Sequence, residues 1–191
     1  MKHPILIMSE LDGFVAQFLR QYGIYIIGAY FLARLIASAV RKIYPHVYAW
    51  ALNWLSPRYN RALRKEKVKL FQDLHDVKKQ RESEDSNHVF TILEIGVGSG
   101  PNFPFYPDGT SVIAIEPKEQ FKSYLEANAE MVPGIKITEV VWANAENMVQ
   151  VPDNSIPAVV CTITLCSVID VDLVLQEVRR VLMPVSIFIQ V

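Results

Sequence analysis

The sequence of 191 residues predicts an α/β fold with a parallel sheet, preceded by an apolar amino-terminal region. Three observations support this prediction: β-branched runs alternate with helical patterns, a glycine-rich turn follows the first run, and a nineteen-residue apolar run precedes them all. Hydrophobic residues make up 51% of the chain, which excludes a disordered protein. The net charge of −1 excludes a strongly basic nucleic-acid-binding module, so no nucleic acid partner is expected.

Charge is distributed unevenly along the chain. Residues 1–85 contain 14 basic and 8 acidic side chains, whereas residues 86–191 contain 5 basic and 12 acidic ones. This contrast indicates two different regions. The two cysteines, Cys161 and Cys166, lie in one apolar run, so the sequence offers neither a disulfide framework nor a paired zinc site.

The nineteen-residue apolar run covers residues 22–40 and contains Arg34 as its only charge. A helix of this length measures about 28 Å, close to the roughly 30 Å of a bilayer's hydrocarbon core. Residues 43–55 are rich in aromatic side chains and contain Pro45, which favours a second helix lying at the interface. The basic run over residues 58–69 is attracted to anionic lipid and predicts that the following domain faces the cytosol.

Three interpretations compete for this apolar region. A cleaved secretory signal fits the small residues over 37–39, but Arg34 interrupts the apolar run and the segment before the run is long and weakly basic. A helix inside a soluble core needs neighbours on every side, and the rest of the chain is small. A retained membrane anchor with lipid as its partner is the favoured interpretation, and both a spanning and a single-leaflet geometry fit Arg34 and Pro45.

A polar connector separates the anchor from the α/β domain. Residues 68–86 carry apolar side chains at helical spacing, which predicts a helix. Residues 82–87, which overlap its end, predict the loop that leads to the next element. The predicted division is therefore a membrane anchor over residues 1–57, a connector over 58–87 and a cofactor-binding domain over 88–191.

A glycine-rich turn carries the predicted chemistry. Residues 90–95 predict a buried strand that leads directly into this turn. Its glycines are Gly96, Gly98 and Gly100. Glycines at a strand's carboxyl end permit positive φ and let a ligand approach the backbone. The next strand, over residues 111–115, ends at Glu116, whose carboxylate can accept both hydroxyls of a ribose.

A dinucleotide site is the main rival to this interpretation. Its G-x-G-x-x-G pattern needs a third glycine where this chain has Pro101, and Pro104 and Pro107 leave little room for the helix that would hold a pyrophosphate. Glu94 adds a carboxylate suited to an ammonium group. Ribose and ammonium recognition without pyrophosphate binding indicates S-adenosylmethionine.

The alternation continues to the end of the sequence. Further strands are predicted over residues 135–141 and 156–163, an amphipathic helix over 171–182 and a last apolar strand over 187–191. The helix is expected to bury Leu173, Val174, Val178 and Val181. This pattern predicts a parallel sheet with right-handed crossovers.

Three segments carry a resemblance to a known family: residues 93–107 with the tail N-F-x-F-Y-P, residues 159–168 with C-T-x-x-L-C-S-V, and residues 174–182. They resemble the methyltransferase-like 7 family of membrane-anchored thiol S-methyltransferases, within the class I S-adenosylmethionine-dependent methyltransferases. The resemblance implies a Rossmann-like sheet, S-adenosyl-L-methionine as cofactor and a small lipophilic thiol as substrate. It also implies anchoring to the endoplasmic reticulum membrane and lipid droplets.

The resemblance also implies roles for residues after the third and fourth strands. Asn144, Ala145 and Glu146 follow the third strand, where such enzymes contact the adenine, and Thr162 and Leu165 line the methyl-transfer site. The predicted cofactor-binding residues are Glu94, Gly96, Gly98, Gly100, Glu116, Asn144, Ala145, Glu146, Thr162 and Leu165. Cys161 and Cys166 are interpreted as small hydrophobic residues rather than nucleophiles. The four histidines show no metal-ligand spacing, so no metal is expected.

The carboxyl-terminal end departs from the family pattern. After Pro184 the family has two glycines and further sheet elements, whereas this sequence continues only to Val191. The expectation is therefore an incomplete, truncated or alternatively spliced methyltransferase sheet, with weak cofactor binding, poor stability and thiol methylation below that of a full-length relative. The alternative function is a catalytically impaired membrane-associated or lipid-droplet-associated form that retains the cofactor-binding half.

Overall fold

A parallel sheet of five strands organises the carboxyl-terminal part of the chain. The computed structural model describes residues 4–84 and 89–190. The helices are α1 (Pro4–Ala62), α2 (Arg64–Glu84), α3 (Lys122–Glu130) and α4 (Val171–Val181). The strands are β1 (Thr91–Ile95), β2 (Thr110–Ile115), β3 (Ile135–Val141), β4 (Ile156–Cys161) and β5 (Leu182–Gln190). Short 3-10 turns occur at Phe103–Phe105, Glu119–Phe121 and Leu165–Ser167.

The strand order is β3-β2-β1-β4-β5, and all four neighbouring pairs are parallel. The chain moves outward from β1 to β3, then returns to the other side of β1 with β4. This reversal creates a topological switch point at the carboxyl ends of the central strands, where open α/β sheets bind ligands. The predicted α/β class with a Rossmann-like sheet is confirmed.

Contacts divide the chain into two units, Met1–Pro45 and His46–Val191. In the first unit, the large apolar side chains from Val15 to Tyr44 are exposed. Among the described residues, one helix is long and apolar enough to cross a membrane, over Val15–Ala62, with a mean hydropathy of 1.7 in its most apolar window. A cleaved signal can pass the same test of length and composition. The predicted division into an anchor, a connector and a cofactor-binding domain stays a prediction.

The helical region differs in detail from the sequence-based expectation. The two predicted apolar helices form one helix, α1, which includes Pro45 in its interior. A proline removes a single N–H donor from the helix, and the many remaining bonds of a long helix maintain it on both sides. Helix α2 begins at Arg64, before the predicted start at Val68, because the Lys67 N–H donates to the Leu63 carbonyl oxygen (2.9 Å) in the helical pattern.

The last two strands also depart from prediction. Strand β4 ends at Cys161, two residues early, because Ile163 has a positive φ of 54° and turns the chain out of the sheet. Strand β5 begins at Leu182, before the predicted start at residue 187, and its pairing with β4 is irregular where Val185 has a φ of 54°. Val191 lies outside the described residues, as do residues 85–87 of the predicted connector and loop.

Arg180 of α4 forms hydrogen bonds to the short loop before β4. Its guanidinium donates to Glu177 (2.7 Å), to Asp153 (2.6 Å) and to the Val151 carbonyl oxygen (2.9 Å). The helix buries Val174, Val178 and Val181 as predicted, but Leu173 is 44% exposed, because it falls at the edge of the apolar face.

The sheet separates two apolar clusters, because successive side chains of a strand point to opposite faces. Ile92 packs with Phe71 and Leu74 of α2 on one face, while Leu93 and Ile95 pack on the α4 side. Alternation therefore places Glu94 on the same face as Ile92, toward α2.

Candidate functional site

The candidate site lies at the carboxyl ends of β2, β1 and β4, which are adjacent in the sheet. The glycine-rich turn after β1 is held there by the Gly96 N–H, which donates to the Ile115 carbonyl oxygen at the end of β2 (2.8 Å). A second bond, from the Gly100 N–H to the Val97 carbonyl oxygen (2.9 Å), closes the turn. The 3-10 turn Phe103–Phe105 then replaces a regular helix, as the prolines predicted.

The three glycines of the turn differ in what surrounds them. All have positive φ: 68° at Gly96, 52° at Gly98 and 77° at Gly100. A Cβ at Gly96 would collide with the Thr164 side chain, and one at Gly100 with the Phe103 ring. At Gly98 the nearest atom would be a Phe121 ring carbon at 3.8 Å, an ordinary contact distance. Gly98 is therefore the glycine of the turn at which an added Cβ would meet no steric collision.

Alanine substitutions should separate these roles. Gly98→Ala is expected to reduce stability by about 1 to 2 kcal/mol through backbone strain alone. Gly96→Ala adds a steric collision to the same strain and should lose at least about 1 kcal/mol more. Denaturant unfolding of the two variants measures the difference. Equal losses would show that Thr164 moves aside readily and that packing does not distinguish the two positions.

Glu116 lies directly after β2 and is 5% exposed. Its Oε2 accepts from the Gly98 N–H (3.1 Å) and its Oε1 from the Lys118 N–H (3.0 Å). Burial raises the pKa of this carboxyl, while these backbone bonds oppose the shift. A carboxylate offers about four lone-pair positions, so two remain for further donors such as the hydroxyls of a sugar.

Glu94 is buried on the α2 side of the sheet at 1% exposure. Its Oε1 accepts from Nδ2 of Asn102 (2.7 Å). The Tyr106 hydroxyl faces this carboxylate and lowers its pKa, but neither that hydroxyl nor Glu94 Oε2 completes a hydrogen bond of good geometry. Burial raises the pKa of Glu94 to about 7, and the charge on Lys67 opposes this shift.

Lys67 of α2 is a functional candidate that sequence reasoning missed. It was counted among the basic residues expected at a lipid surface, yet it is 1% exposed. Its Nζ donates to Oδ1 of Asn102 (2.7 Å), whose amide in turn holds Glu94. Burial lowers the pKa of Lys67 to about 8, while the charge on Glu94 raises it. Lys67 stands seven residues before Leu74, at the spacing that places both side chains on one face of a helix. This spacing was the sequence signal for its burial.

The three residues after β3 are placed differently from one another. Asn144 is exposed at the carboxyl edge of the sheet. Ala145 is buried in the core cluster on the α4 side. Glu146 accepts from the Ile169 N–H (2.7 Å) and holds the loop that precedes α4. Of the three, Asn144 has the free side chain that the predicted adenine contact requires.

The loop after β4 meets the glycine turn directly. The Thr162 hydroxyl accepts from Nδ2 of Asn102 (2.8 Å), and Leu165 packs half-buried against the core. Thr164, which sequence reasoning did not select, donates from its hydroxyl to the Ile95 carbonyl oxygen (3.3 Å) and fills the space beside Gly96.

The two cysteines lie on either side of this loop. Cys161 is buried, and burial raises the pKa of its thiol to about 11, which disfavours the nucleophilic thiolate. Cys166 is exposed, and its thiol donates to the Ile163 carbonyl oxygen (3.4 Å). Within residues 4–84 and 89–190, no group of three or more His, Cys, Asp or Glu side chains is arranged to hold a metal ion.

The sheet order and the glycine turn at its switch point define a Rossmann-like class I methyltransferase fold. A family described as "Methyltransferase domain" matches residues 93–189, which is half of the chain. A candidate S-adenosyl-L-methionine-dependent methyltransferase of Methanococcus maripaludis shares this fold, with a TM-score of 0.53 and 16% identity over 76% of this chain and 62% of that chain.

The chain belongs to the methyltransferase-domain family. It is 36% identical to the Rattus norvegicus thiol S-methyltransferase TMT1B over 137 residues, covering 72% of this chain and 54% of that protein. It is 37% identical to Homo sapiens thiol S-methyltransferase TMT1A over 130 residues, covering 68% and 51%. The predicted family resemblance is confirmed, and the chain spans about half the length of these relatives.

Proposed function

We propose that this chain binds S-adenosyl-L-methionine at the carboxyl ends of β1 and β2 and takes part in methylating a small lipophilic thiol. The observation that carries this proposal is the buried Glu94 carboxylate, whose Oε2 faces the Tyr106 hydroxyl without a hydrogen bond of good geometry, beside a glycine turn in which a Cβ at Gly98 would meet no collision. A buried carboxylate oxygen that lacks a well-aligned donor favours a ligand that supplies one. The thiol S-methyltransferases to which the chain is similar supply the reaction class.

The residues fit such a cofactor at several points. Glu94 can meet an ammonium group with its buried carboxylate, and Glu116 retains acceptor positions for a ribose. Asn144, with Ala145 and Glu146, forms the proposed adenine side. Gly96, Gly98 and Gly100 shape the turn against which the ligand lies. Thr162 and Leu165 form the proposed wall of the methyl-transfer site.

The cofactor supplies an electrophilic methyl group, so the chain's task is alignment and exclusion of water. The acceptor thiol reacts as its thiolate, which is the nucleophilic form. The raised pKa of Cys161 opposes a role for this residue as an intermediate acceptor. With S-adenosylmethionine bound, the substrate thiolate would be the methyl acceptor rather than Cys161, and S-adenosylhomocysteine would be the leaving product.

We further propose that α1 anchors the chain in the endoplasmic reticulum membrane or at lipid droplets, with the methyltransferase domain facing the cytosol. The exposed apolar side chains before residue 45 support the anchor. The exposed basic residues that follow are suited to anionic cytoplasmic lipid. They are Arg58, Arg61, Arg64, Lys65 and Lys69. A membrane location would also favour lipophilic thiols, which concentrate there.

Calorimetry on the detergent-solubilised chain tests the cofactor. We expect binding of S-adenosylmethionine and S-adenosylhomocysteine, and no binding of NAD. Glu116→Ala should weaken cofactor binding by about 1 to 3 kcal/mol because a charged hydrogen-bond acceptor is lost. Glu119→Gln is the matched control, since that carboxylate is exposed three residues away.

Binding of NAD without binding of either sulfur compound would overturn the cofactor assignment. A methyl-transfer assay with a small alkyl thiol then tests the reaction. Cofactor binding without any methyl transfer would favour the alternative of a membrane-associated form that retains only the cofactor-binding half.

A further inference from the structure

Lys67 occupies a site built to hold a charged ammonium away from water. Its Nζ donates to Asn60 Oδ1 and to Asn102 Oδ1, both at 2.7 Å. The rings of Tyr59 and Phe105 lie 5.1 and 5.3 Å from the same nitrogen. Two acceptors and two aromatic faces compensate the lost hydration of the ammonium. So complete a set of partners distinguishes Lys67 from the exposed lysines of the same helix.

These partners connect Lys67 to the two residues that follow the glycine turn, Pro101 and Asn102. Asn60, at the end of α1, donates from Nδ2 to the Pro101 carbonyl oxygen (2.5 Å). Asn102 follows at once and is completely buried. Lys67 therefore lies between a residue that holds the backbone of the turn's exit and one that reaches Glu94.

The orientation of the Asn102 amide depends on Lys67. An ammonium is a donor only, so it fixes the amide oxygen on its own side. The amide nitrogen must then face the other way, where it donates to Glu94 Oε1 (2.7 Å) and Thr162 Oγ1 (2.8 Å). Without Lys67 the buried amide oxygen loses its donor, and the carboxylate alone then holds the amide in this orientation.

We propose that Lys67 is a positioning residue for the cofactor site, acting through Asn102 to hold the Glu94 carboxylate in place for a ligand cation. This inference rests on the proposed function and extends it to a helix outside the matched family region, residues 93–189. The charged and titratable groups that act on Glu94 are Lys67, Tyr106 and Glu116. Tyr106 faces Glu94 directly, whereas Lys67 reaches it through the shared side chain of Asn102.

A double-mutant cycle tests the proposal in the full-length chain. Lys67→Met and Asn102→Ala are each expected to weaken S-adenosylhomocysteine binding by about tenfold or more, the loss of a charge-assisted contact. Because Lys67 acts through Asn102, the double variant should bind no worse than about twofold below Asn102→Ala. Lys67→Arg, which retains charge and donors, should restore part of the loss. Lys79→Met, on the exposed side of the same helix, should bind as the unchanged chain does.

A second measurement needs no cofactor and remains informative if a variant is less stable. In protein carrying ¹³C-labelled glutamate, the titration midpoint of the Glu94 carboxyl should move upward in Lys67→Met and stay unchanged in Lys79→Met. Full additivity of the two binding losses, or an unmoved Glu94 titration in a folded Lys67→Met chain, would overturn the proposal. If the unchanged chain binds neither sulfur compound, the proposed function fails, while the Glu94 titration still decides the role of Lys67.

Discussion

The double variant Lys67→Met with Glu94→Gln is expected to be more stable than the unchanged chain at pH 7.5, by about 1 to 4 kcal/mol. Burial of two charges costs more than their attraction returns, and neutral residues of similar size remove that cost. Loss of the ammonium also leaves Asn60 Oδ1 and Asn102 Oδ1 without their donor, which reduces the gain. The same variant should lose cofactor binding, because it lacks the carboxylate that meets the ammonium. Stability and binding therefore change in opposite directions.

The pH dependence of unfolding provides the diagnostic. The pKa of Glu94 is about 7 in the folded chain against an ordinary 4.5, so the folded state keeps a proton that the unfolded state has released. Stability from this group therefore falls as pH rises from 4.5 to about 7. The pKa of Lys67 is lowered from 10.5 to about 8, so the folded state releases a proton that the unfolded state keeps. Stability from this group therefore rises as pH increases from about 8 to 10.5. A minimum is expected between pH 7 and 8.

Urea unfolding between pH 5 and 10 checks this result. The double variant should lose the slopes that Glu94 and Lys67 produce and keep only the fall that comes from the raised pKa of Glu116, whereas Glu119→Gln should retain both. A double variant less stable than the unchanged chain throughout this range would show that the pair stabilises the fold.

Removal of residues 1–45 should release the chain from membranes while leaving the sheet folded. This deletion ends at the boundary between the two units and removes the apolar run over residues 22–40. A deletion through Leu55 should also release the chain, but with a lower unfolding temperature. It removes Tyr48, whose ring packs edge-on against Phe121 at 6.1 Å, and Asn53, whose side chain accepts from Asn128 (3.0 Å).

Alkaline carbonate extraction followed by thermal unfolding distinguishes these outcomes. The full chain should stay in the membrane pellet, and both deletions should be extracted. Sedimentation of each deletion without membranes controls for aggregation. A full chain that carbonate extracts would contradict the anchor.

Local sequence signals predicted much of the sheet and part of the site. The predicted strand over residues 135–141 has the same first and last residues as β3, and the glycine turn lies at the carboxyl end of β1 as expected. Glu94 and Glu116 both lie beside that turn, because one stands near the end of β1 and the other directly after β2. Their binding roles remain predictions.

Features that depend on tertiary contacts were not predictable. Lys67 belongs to a basic run that is typical of solvent or lipid surfaces, and its burial depends on Asn60 and Asn102, one of them 35 residues away. Helix α3 was overlooked because its nine residues have a weak apolar face. The early start of β5 depends on pairing with β4, which local pattern does not reveal.

The placement of Lys67 on α2 has a consequence for evolutionary comparison. The methyltransferase-domain match begins at residue 93, so an alignment restricted to it contains Glu94 and Asn102 but omits the cation that faces them. A change at Glu94 in a related chain can then look like the loss of a site when it is one half of a compensated exchange. We expect the residues at positions 67, 94 and 102 to vary together among relatives that retain the preceding helix. The structural unit that positions Glu94 thus begins before residue 93, where the domain match starts.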